Sequence, residues 1–122
     1  MQTKTLYHID INCDLGEGST QCQHQNDAAI MPFISRCNIA CGGHAGDRQT
    51  MTQSLINAKN NRLNCGAHPG YPDKKNFGRK SLSISFDKLA DSIRQQIDSL
   101  TAISHELSVE LSHIKLHGAL YN

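Results

Sequence analysis

Histidines, carboxylates and a lysine recur in four short glycine-rich segments of the sequence. The segments cover residues 12–18, 41–47, 66–73 and 115–122. Their chemically capable residues are Asp14, Glu17, His44, Asp47, His68, Asp73, Lys115 and His117. Imidazoles and carboxylates exchange protons and bind divalent metals, and a lysine attracts anionic groups. These residues therefore indicate the active site of an enzyme if the fold brings the four segments together.

Each of these segments follows or overlaps the end of a predicted β-strand. Apolar and polar residues alternate in four predicted strands, at residues 6–14, 37–41, 63–67 and 113–117. Apolar residues at helical spacing predict three helices, at residues 27–35, from 47 to about 62, and from 86 onward. This βα order predicts a parallel sheet, in which the ends of successive strands meet at one rim.

One face of the predicted strands is unusually polar. In the first strand, Asp10, Asn12 and Asp14 alternate with apolar residues. The same face receives Asn38, Asn64, His68, His113, Lys115 and His117. Parallel strands covered by helices are normally apolar on both faces, and unpartnered polar groups are costly to bury. A barrel with a polar, hydrated lumen explains this pattern, and a sheet with one solvated face is the alternative.

Length and composition exclude several classes of protein. The chain has 122 residues, a net charge of +1 and only 5 % aromatic residues, which argues against nucleic-acid binding. It lacks a polybasic run, an apolar stretch of about 20 residues and a signal-peptide core, so we expect a cytoplasmic protein without membrane contact. The five cysteines are odd in number and lack CxxC spacing, which argues against disulfides and zinc. Cys13, Cys37, Cys41 and Cys65 lie among apolar strand residues, which predicts packed, reduced thiols.

The four segments resemble the motifs of the LamB/YcsF family. Those motifs read approximately IDLNCDLGEG, NIACGxHAGD, GAHPGYPD followed by FGR, and KxHGALY. They match residues 9–18, 38–47, 66–73 with 77–79, and 115–121. The resemblance covers essentially the whole chain, in the family's order and spacing. Because family members are about twice as long, residues 1–122 resemble a single domain that is the N-terminal half of the family's barrel.

The resemblance also implies a fold and an activity. It implies a seven-stranded, TIM-like (β/α) barrel of the glycoside hydrolase/deacetylase type, of which this chain would supply about four βα units. It implies ATP-dependent opening of 5-oxoproline to glutamate by the A subunit of a bacterial 5-oxoprolinase, working with subunits B and C. A divalent metal of the magnesium or zinc type is a further candidate cofactor. No Walker phosphate loop occurs in the sequence, so ATP binding follows from the resemblance alone.

Opening a lactam requires a base for water, a binder for the substrate carboxylate and often a metal. The expected catalytic residues are Asp14, Glu17, His44, His68, Lys115 and His117. The expected substrate-binding residues are Asn12, Asp47, Tyr71 and Arg79. Structural roles compete with some of these assignments, since Asp47 suits a helix cap, Tyr71 could pack under its loop and Arg79 could anchor that loop.

Two other functions fit the same residues. A metal-dependent carbohydrate deacetylase would use Asp14, His44 and His68 as metal ligands and would need no ATP. A non-catalytic fragment would self-associate through its open strand edges.

The sequence departs from the family pattern at two positions. Gly43 replaces a bulky aromatic residue, which predicts a looser wall beside His44, and Leu116 replaces a proline at an outward position.

Overall fold

The computed structural model describes residues 3–122, which form a four-stranded parallel sheet with helices on one face. The strands lie side by side in sequence order: β1 Asn12–Leu15, β2 Arg36–Ala40, β3 Asn64–His68 and β4 Leu111–Ile114. The helices are α1 Gln21–Ile30, α2 Arg48–Asn60 and α3 Phe86–Glu106, with short 3₁₀ turns at Met31–Phe33 and Gly118–Leu120. The predicted α/β class is confirmed, whereas closure into a barrel stays a prediction.

The first strand begins later than predicted. The backbone N–H groups of Ser35 and Arg36 both donate to the carbonyl oxygen of Ile11, and pairing with β2 starts there. Residues before this point have no neighbouring strand, and the Leu6 side chain is 79 % exposed. The prediction of a strand from residue 6 is therefore wrong, because alternation alone does not reveal where a pairing partner begins.

Helix α1 begins earlier than predicted because of a capping box. The Thr20 side chain accepts from the Gln23 backbone N–H, and the Gln23 side chain accepts from the Thr20 backbone N–H. A Thr-x-x-Gln pattern is a known helix start, and it satisfies two otherwise unpaired donors. Pro32 then lies in the 3₁₀ turn that follows the helix.

Helices α2 and α3 agree better with the sequence pattern. Asp47 caps α2, and the predicted inward residues Met51, Leu55 and Ala58 are all buried. In α3, the C-terminal half buries Leu100 and Ile103, whereas Phe86 at its first turn is 83 % exposed. Within the described residues, no helix is long and apolar enough to span a membrane.

The two faces of the sheet have opposite character. On the helix-covered face, Cys13, Cys37 and Cys65 occupy one register row and pack in the apolar core. On the other face lies the polar row predicted from the sequence. A register irregularity between β3 and β4 allows Leu111 to contact the core although His113, two residues later, faces the polar side.

The outer strands β1 and β4 each leave one edge unpaired within the described sheet. Ile114, the last residue of β4, is 56 % exposed, and Leu116, just after the strand, is 37 % exposed. Self-association through such edges stays a prediction. Sedimentation velocity should detect dimers, and a monomer at all concentrations would contradict this expectation.

Leu55 provides a test of the core with a matched neighbour on the same helix. Its side chain is fully buried among the sheet and α3, whereas Ile56 is 36 % exposed. We expect Leu55→Ala to lower the free energy of unfolding by about 2–5 kcal/mol, because a cavity replaces the lost methyl groups. Ile56→Ala should cost much less. Urea denaturation of both variants measures the difference, and equal losses would contradict the packing described here.

Candidate active site

Four side chains from four different segments converge at the C-terminal rim of the sheet. Glu17 follows β1, His44 lies in the loop after β2, His68 ends β3, and His117 follows β4. Each offers one ligand atom, and these atoms lie within 4.8 Å of one another. The convergence of these segments at one rim is therefore what the βα order predicts.

Glu17 lies at the centre of this four-residue cluster. Its Oε2 atom is 2.5 Å from His44 Nε2, 3.4 Å from His117 Nδ1 and 3.8 Å from His68 Nε2. All three imidazoles are buried, and the carboxylate is partly open to solvent. The cluster therefore has one solvent-accessible side, which a small ligand could reach.

Backbone carbonyls determine which ring nitrogens of the cluster are free. His68 Nδ1–H donates to the Lys115 carbonyl over 2.7 Å, and His117 Nε2–H donates to the Phe77 carbonyl over 2.8 Å. In the neutral rings, the remaining nitrogens carry lone pairs, and these two nitrogens are only 3.1 Å apart. Facing lone pairs repel unless a proton or a cation lies between them. The arrangement therefore fits a bound cation.

The donor set indicates which kind of cation would fit. Metal-bound histidines usually donate their second N–H to a carbonyl or carboxylate, as His68 and His117 do here. Three imidazoles and one carboxylate suit zinc-type ions, whereas magnesium prefers oxygen ligands. His44 Nδ1 is buried, and it has no hydrogen-bond partner among the described residues.

Close packing holds the imidazoles in place. The rings of His44 and His117 stack with centroids 3.5 Å apart, and Phe77 contacts both rings edge-on. Gly78, in the following turn, has a φ of +62°, and a Cβ there would lie 2.8 Å from the Cβ of His44. Glycine at position 78 is therefore required both by the backbone conformation and by the space.

Asp14 and Lys115 form an ion pair beside the cluster. Lys115 Nζ lies 2.9 Å from Asp14 Oδ1 and 3.2 Å from Oδ2, and Oδ2 is 3.4 Å from His68 Nε2. Burial raises the pKa of Asp14, but the adjacent His68 ring and the hydrogen bonds from Lys115 and Asn38 outweigh burial and hold the pKa well below its usual range. Asp14 is therefore ionised at neutral pH.

The structure brings together only two of the three metal ligands predicted from the sequence, Asp14, His44 and His68. His44 and His68 belong to the cluster with Glu17 and His117, and Asp14 lies at its edge, paired with Lys115.

The four expected substrate-binding residues lie outside the cluster, and Asn12 is at the start of β1 rather than at the rim. Asn12 accepts a hydrogen bond from Asn38, and the half-buried Tyr71 lies in the loop after β3. Arg79 is exposed, and its guanidinium carbon lies 5.1 Å from the centre of the Phe77 ring. Arg79 is thus adjacent to the aromatic side chain that packs on the cluster.

Asp47 and Asp73 have local structural contacts. Asp47 accepts from the Thr50 backbone N–H over 2.8 Å as the N-cap of α2, and Asp73 accepts from the Asn76 side chain over 2.7 Å. Asp47 also borders a groove of about 910 Å³ that reaches Glu17 and His44.

Two variants separate the capping and binding roles of Asp47. Asp47→Asn keeps an oxygen acceptor for the cap and removes the charge, whereas Asp47→Ala removes both. If Asp47 only caps α2, Asp47→Asn should leave the stability nearly unchanged, and Asp47→Ala should lower it by about 1 kcal/mol. Thermal melting measures the stability of both variants, and an assay of the activity implied by the family resemblance measures their turnover. A loss of turnover with Asn at unchanged stability would instead support substrate binding.

Gly43 does not leave free space in the wall beside His44. The buried Gln96 side chain fills this space, and a Cβ on Gly43 would lie 2.3 Å from Gln96 Oε1. Gln96 pairs with both backbone polar groups of Gly70, accepting from its N–H and donating to its carbonyl. The expectation of a looser wall is therefore wrong, because a helix residue distant in sequence occupies the space.

Comparison with known proteins agrees with the motifs. The LamB/YcsF family matches residues 9–122. The chain belongs to the LamB/YcsF family.

Among LamB/YcsF relatives, the chain is 46% identical over 114 residues to the 5-oxoprolinase A subunit of Chloroflexus aurantiacus, covering 93% of this chain and 45% of that protein. It is 46% identical over 117 residues to the corresponding subunit of Bacillus cytotoxicus, covering 96% and 46%. The crystal structure of a lactam utilization protein from Thermus thermophilus superposes with a TM-score of 0.87 at 35% identity, covering 94% of this chain and 47% of that one. The chain therefore spans about half the length of these LamB/YcsF proteins.

Proposed function

We propose that this chain carries the lactam-opening site of a 5-oxoprolinase A subunit, which works with subunits B and C and with ATP. The names of the relatives support the lactam as substrate class. The observation that carries the proposal is the cluster of three histidines and Glu17 beside the Asp14–Lys115 ion pair. It combines a candidate cation site, the Asp14 and Glu17 carboxyl groups and the Lys115 side chain at one rim.

The reaction places specific demands on such a site. Water adds its oxygen to the carbonyl carbon of 5-oxoproline, the ring C–N bond breaks, and the ring nitrogen gains a proton to give glutamate. The lactam is stable, so the reaction is coupled to hydrolysis of ATP to ADP and phosphate. A site for this chemistry needs groups that orient water, polarise the carbonyl and move one proton.

The residues at the rim supply these groups. Asp14 Oδ2 accepts a hydrogen bond from the attacking water, and Lys115 Nζ donates to the developing negative charge on the carbonyl oxygen. Asp14 or Glu17 passes the proton of the water to the ring nitrogen.

Glu17, His44, His68 and His117 would hold a divalent metal, which lowers the pKa of water and polarises a carbonyl. Arg79 is our candidate for the substrate carboxylate, because a guanidinium binds carboxylates through two parallel hydrogen bonds. Asp47 and Tyr71 line the approach in this proposal, whereas Asn12, at the start of β1, acts only through its hydrogen bond with Asn38.

The direct test is 5-oxoproline-dependent formation of ADP and glutamate by this chain mixed with subunits B and C of a relative. The assay is run with added Zn²⁺, with added Mg²⁺ and with a chelator. Turnover that Zn²⁺ restores after chelation would support the proposal. Absence of turnover here, while a full-length relative is active with the same partners, would show that these residues do not suffice.

The second candidate is metal-dependent deacetylation of a carbohydrate. The nitrogen-rich cluster favours it, because hydrolytic zinc sites use imidazole and carboxylate ligands. Release of acetate from acetylated sugars with metal, and without ATP or partner subunits, would distinguish this function from lactam opening.

A further inference from the structure

A single register row crosses the polar face of the sheet. Asp14 of β1 is aligned with Asn38 of β2, Gly66 of β3 and His113 of β4. Because Gly66 has no side chain, the His113 ring extends over β3 and its Nε2 lies 2.7 Å from Asn38 Oδ1. A Cβ at position 66 would lie 2.3 Å from that Nε2 atom, so only glycine leaves room for the contact.

The direction of the hydrogen bonds is fixed at the Asp14 end. Asp14 Oδ1 already accepts from Lys115 Nζ over 2.9 Å, so the Asn38 amide nitrogen must be the group that faces it, 3.0 Å away. The second N–H of that amide donates to Asn12 Oδ1 over 2.9 Å. Asn38 Oδ1 is then left as an acceptor, so His113 Nε2 must carry a hydrogen.

The direction is fixed at the opposite end as well. A guanidinium only donates, and Arg36 Nη1 lies 3.0 Å from His113 Nδ1. That nitrogen must therefore present its lone pair, which agrees with a hydrogen on Nε2. The Ser112 hydroxyl, 2.7 Å from the same nitrogen, can donate or accept and so does not oppose this orientation. Arg36 is itself held by Asp10, whose Oδ2 lies 2.7 Å from Arg36 Nε.

We propose that Arg36, His113 and Asn38 form a one-directional hydrogen-bond relay that positions the Asp14 carboxylate for catalysis. In this relay His113 and Asn38 are positioning residues that act through Asp14. The relay immobilises Oδ1 and leaves Oδ2 facing His68. The consequence for turnover rests on the proposed function, whereas the relay itself does not.

His113 acts in the relay as a neutral ring. Burial lowers the pKa of His113, and the adjacent Arg36 guanidinium lowers it further. The nearby Asp10 carboxylate opposes this shift. Protonation would place a second hydrogen on Nδ1, directly against Arg36, and would break the relay. The arrangement therefore suits a fixed scaffold rather than a proton carrier.

A spectroscopic experiment tests the relay without any activity. Two-bond ¹H–¹⁵N correlation spectra of the whole chain at neutral pH distinguish the two neutral histidine tautomers. We expect a single Nε2–H tautomer for His113 and tautomer averaging for the exposed His8. Because Arg36 fixes Nδ1 independently, Asn38→Leu alone should keep this tautomer, whereas Asn38→Leu combined with Arg36→Leu should release His113 into averaging. Wild-type His113 protonated on Nδ1, or averaging like His8, would overturn the proposal.

A variant series tests the positioning role. With subunits B and C, His113→Leu should lower kcat about 10–100-fold, the usual effect of losing an outer hydrogen-bond partner, at nearly unchanged KM. His113→Gln places an amide N–H near the former Nε2 position and should recover most of kcat. Gly66→Ala should lower kcat as much as His113→Leu does, because its Cβ would displace the His113 ring.

The kinetic and spectroscopic results separate the two proposals. An unchanged kcat in His113→Leu, or no recovery with Gln at equal thermal stability, would overturn the positioning role. If wild type shows no turnover at all, the proposed function fails, while the spectra still decide whether the relay exists.

Discussion

The variant His117→Ala should bind Zn²⁺ at least about 100-fold more weakly than the unchanged chain. This loss exceeds the roughly 10–100-fold typical of an outer partner, because a first ligand is removed. His117 Nδ1 is one of the two nitrogens that face each other at 3.1 Å, and its ring also stacks on His44. Isothermal titration against a competing chelator measures the affinity.

The controls separate loss of a ligand from loss of packing. Glu17→Gln keeps the size of the side chain and removes its charge, and it should also weaken Zn²⁺ binding. His8→Asn removes an exposed histidine outside the cluster and should leave the affinity unchanged. If His117→Ala keeps the wild-type affinity while remaining folded, the cluster is not the metal site.

Lys115→Met should lower turnover by about 10²–10³-fold, the range measured when one donor to a developing oxyanion is removed. The Lys115 ammonium lies 2.9 Å from Asp14 Oδ1, and no other lysine or arginine among the described residues contacts Asp14. Methionine keeps about the length and the apolar packing of the lysine side chain but lacks its charge. Steady-state assays with subunits B and C measure the effect.

Metal content and a matched lysine identify the cause of this loss. Lys115→Met should retain bound Zn²⁺, because Lys115 supplies only its backbone carbonyl to His68. Lys88→Met, at an exposed position of α3, should leave turnover unchanged. A Lys115→Met enzyme with full activity would remove Lys115 from the proposed mechanism.

The sequence predicted the position of the site better than its internal contacts. Strand alternation and the βα order correctly grouped Glu17, His44, His68 and His117, because the ends of parallel strands share a rim. The sequence did not reveal that Asn38 contacts Asp14 or that His113 contacts Asn38. Period-two alternation placed both on the polar face, but only the sheet register shows that they meet over Gly66.

Element boundaries depended on information of two kinds. The capped start of α2 at Asp47 was predictable because its determinants are local in sequence. The start of β1 was not, because it depends on where β2 supplies hydrogen-bonding partners. The space over Gly43 was also hidden, since Gln96 fills it from a helix far along the chain.

The thiols on the covered face of the sheet give the chain a built-in reporter of its own opening. Burial raises the pKa of Cys41 to about 12, and a hydrogen bond to Cys65, together with burial, raises that of Cys37. A thiol-alkylating reagent attacks the thiolate, so these positions react only when the helices lift from the sheet. Cys22 is exposed and should be labelled at once. The ratio of the two labelling rates would follow the stability of the scaffold without any engineered probe.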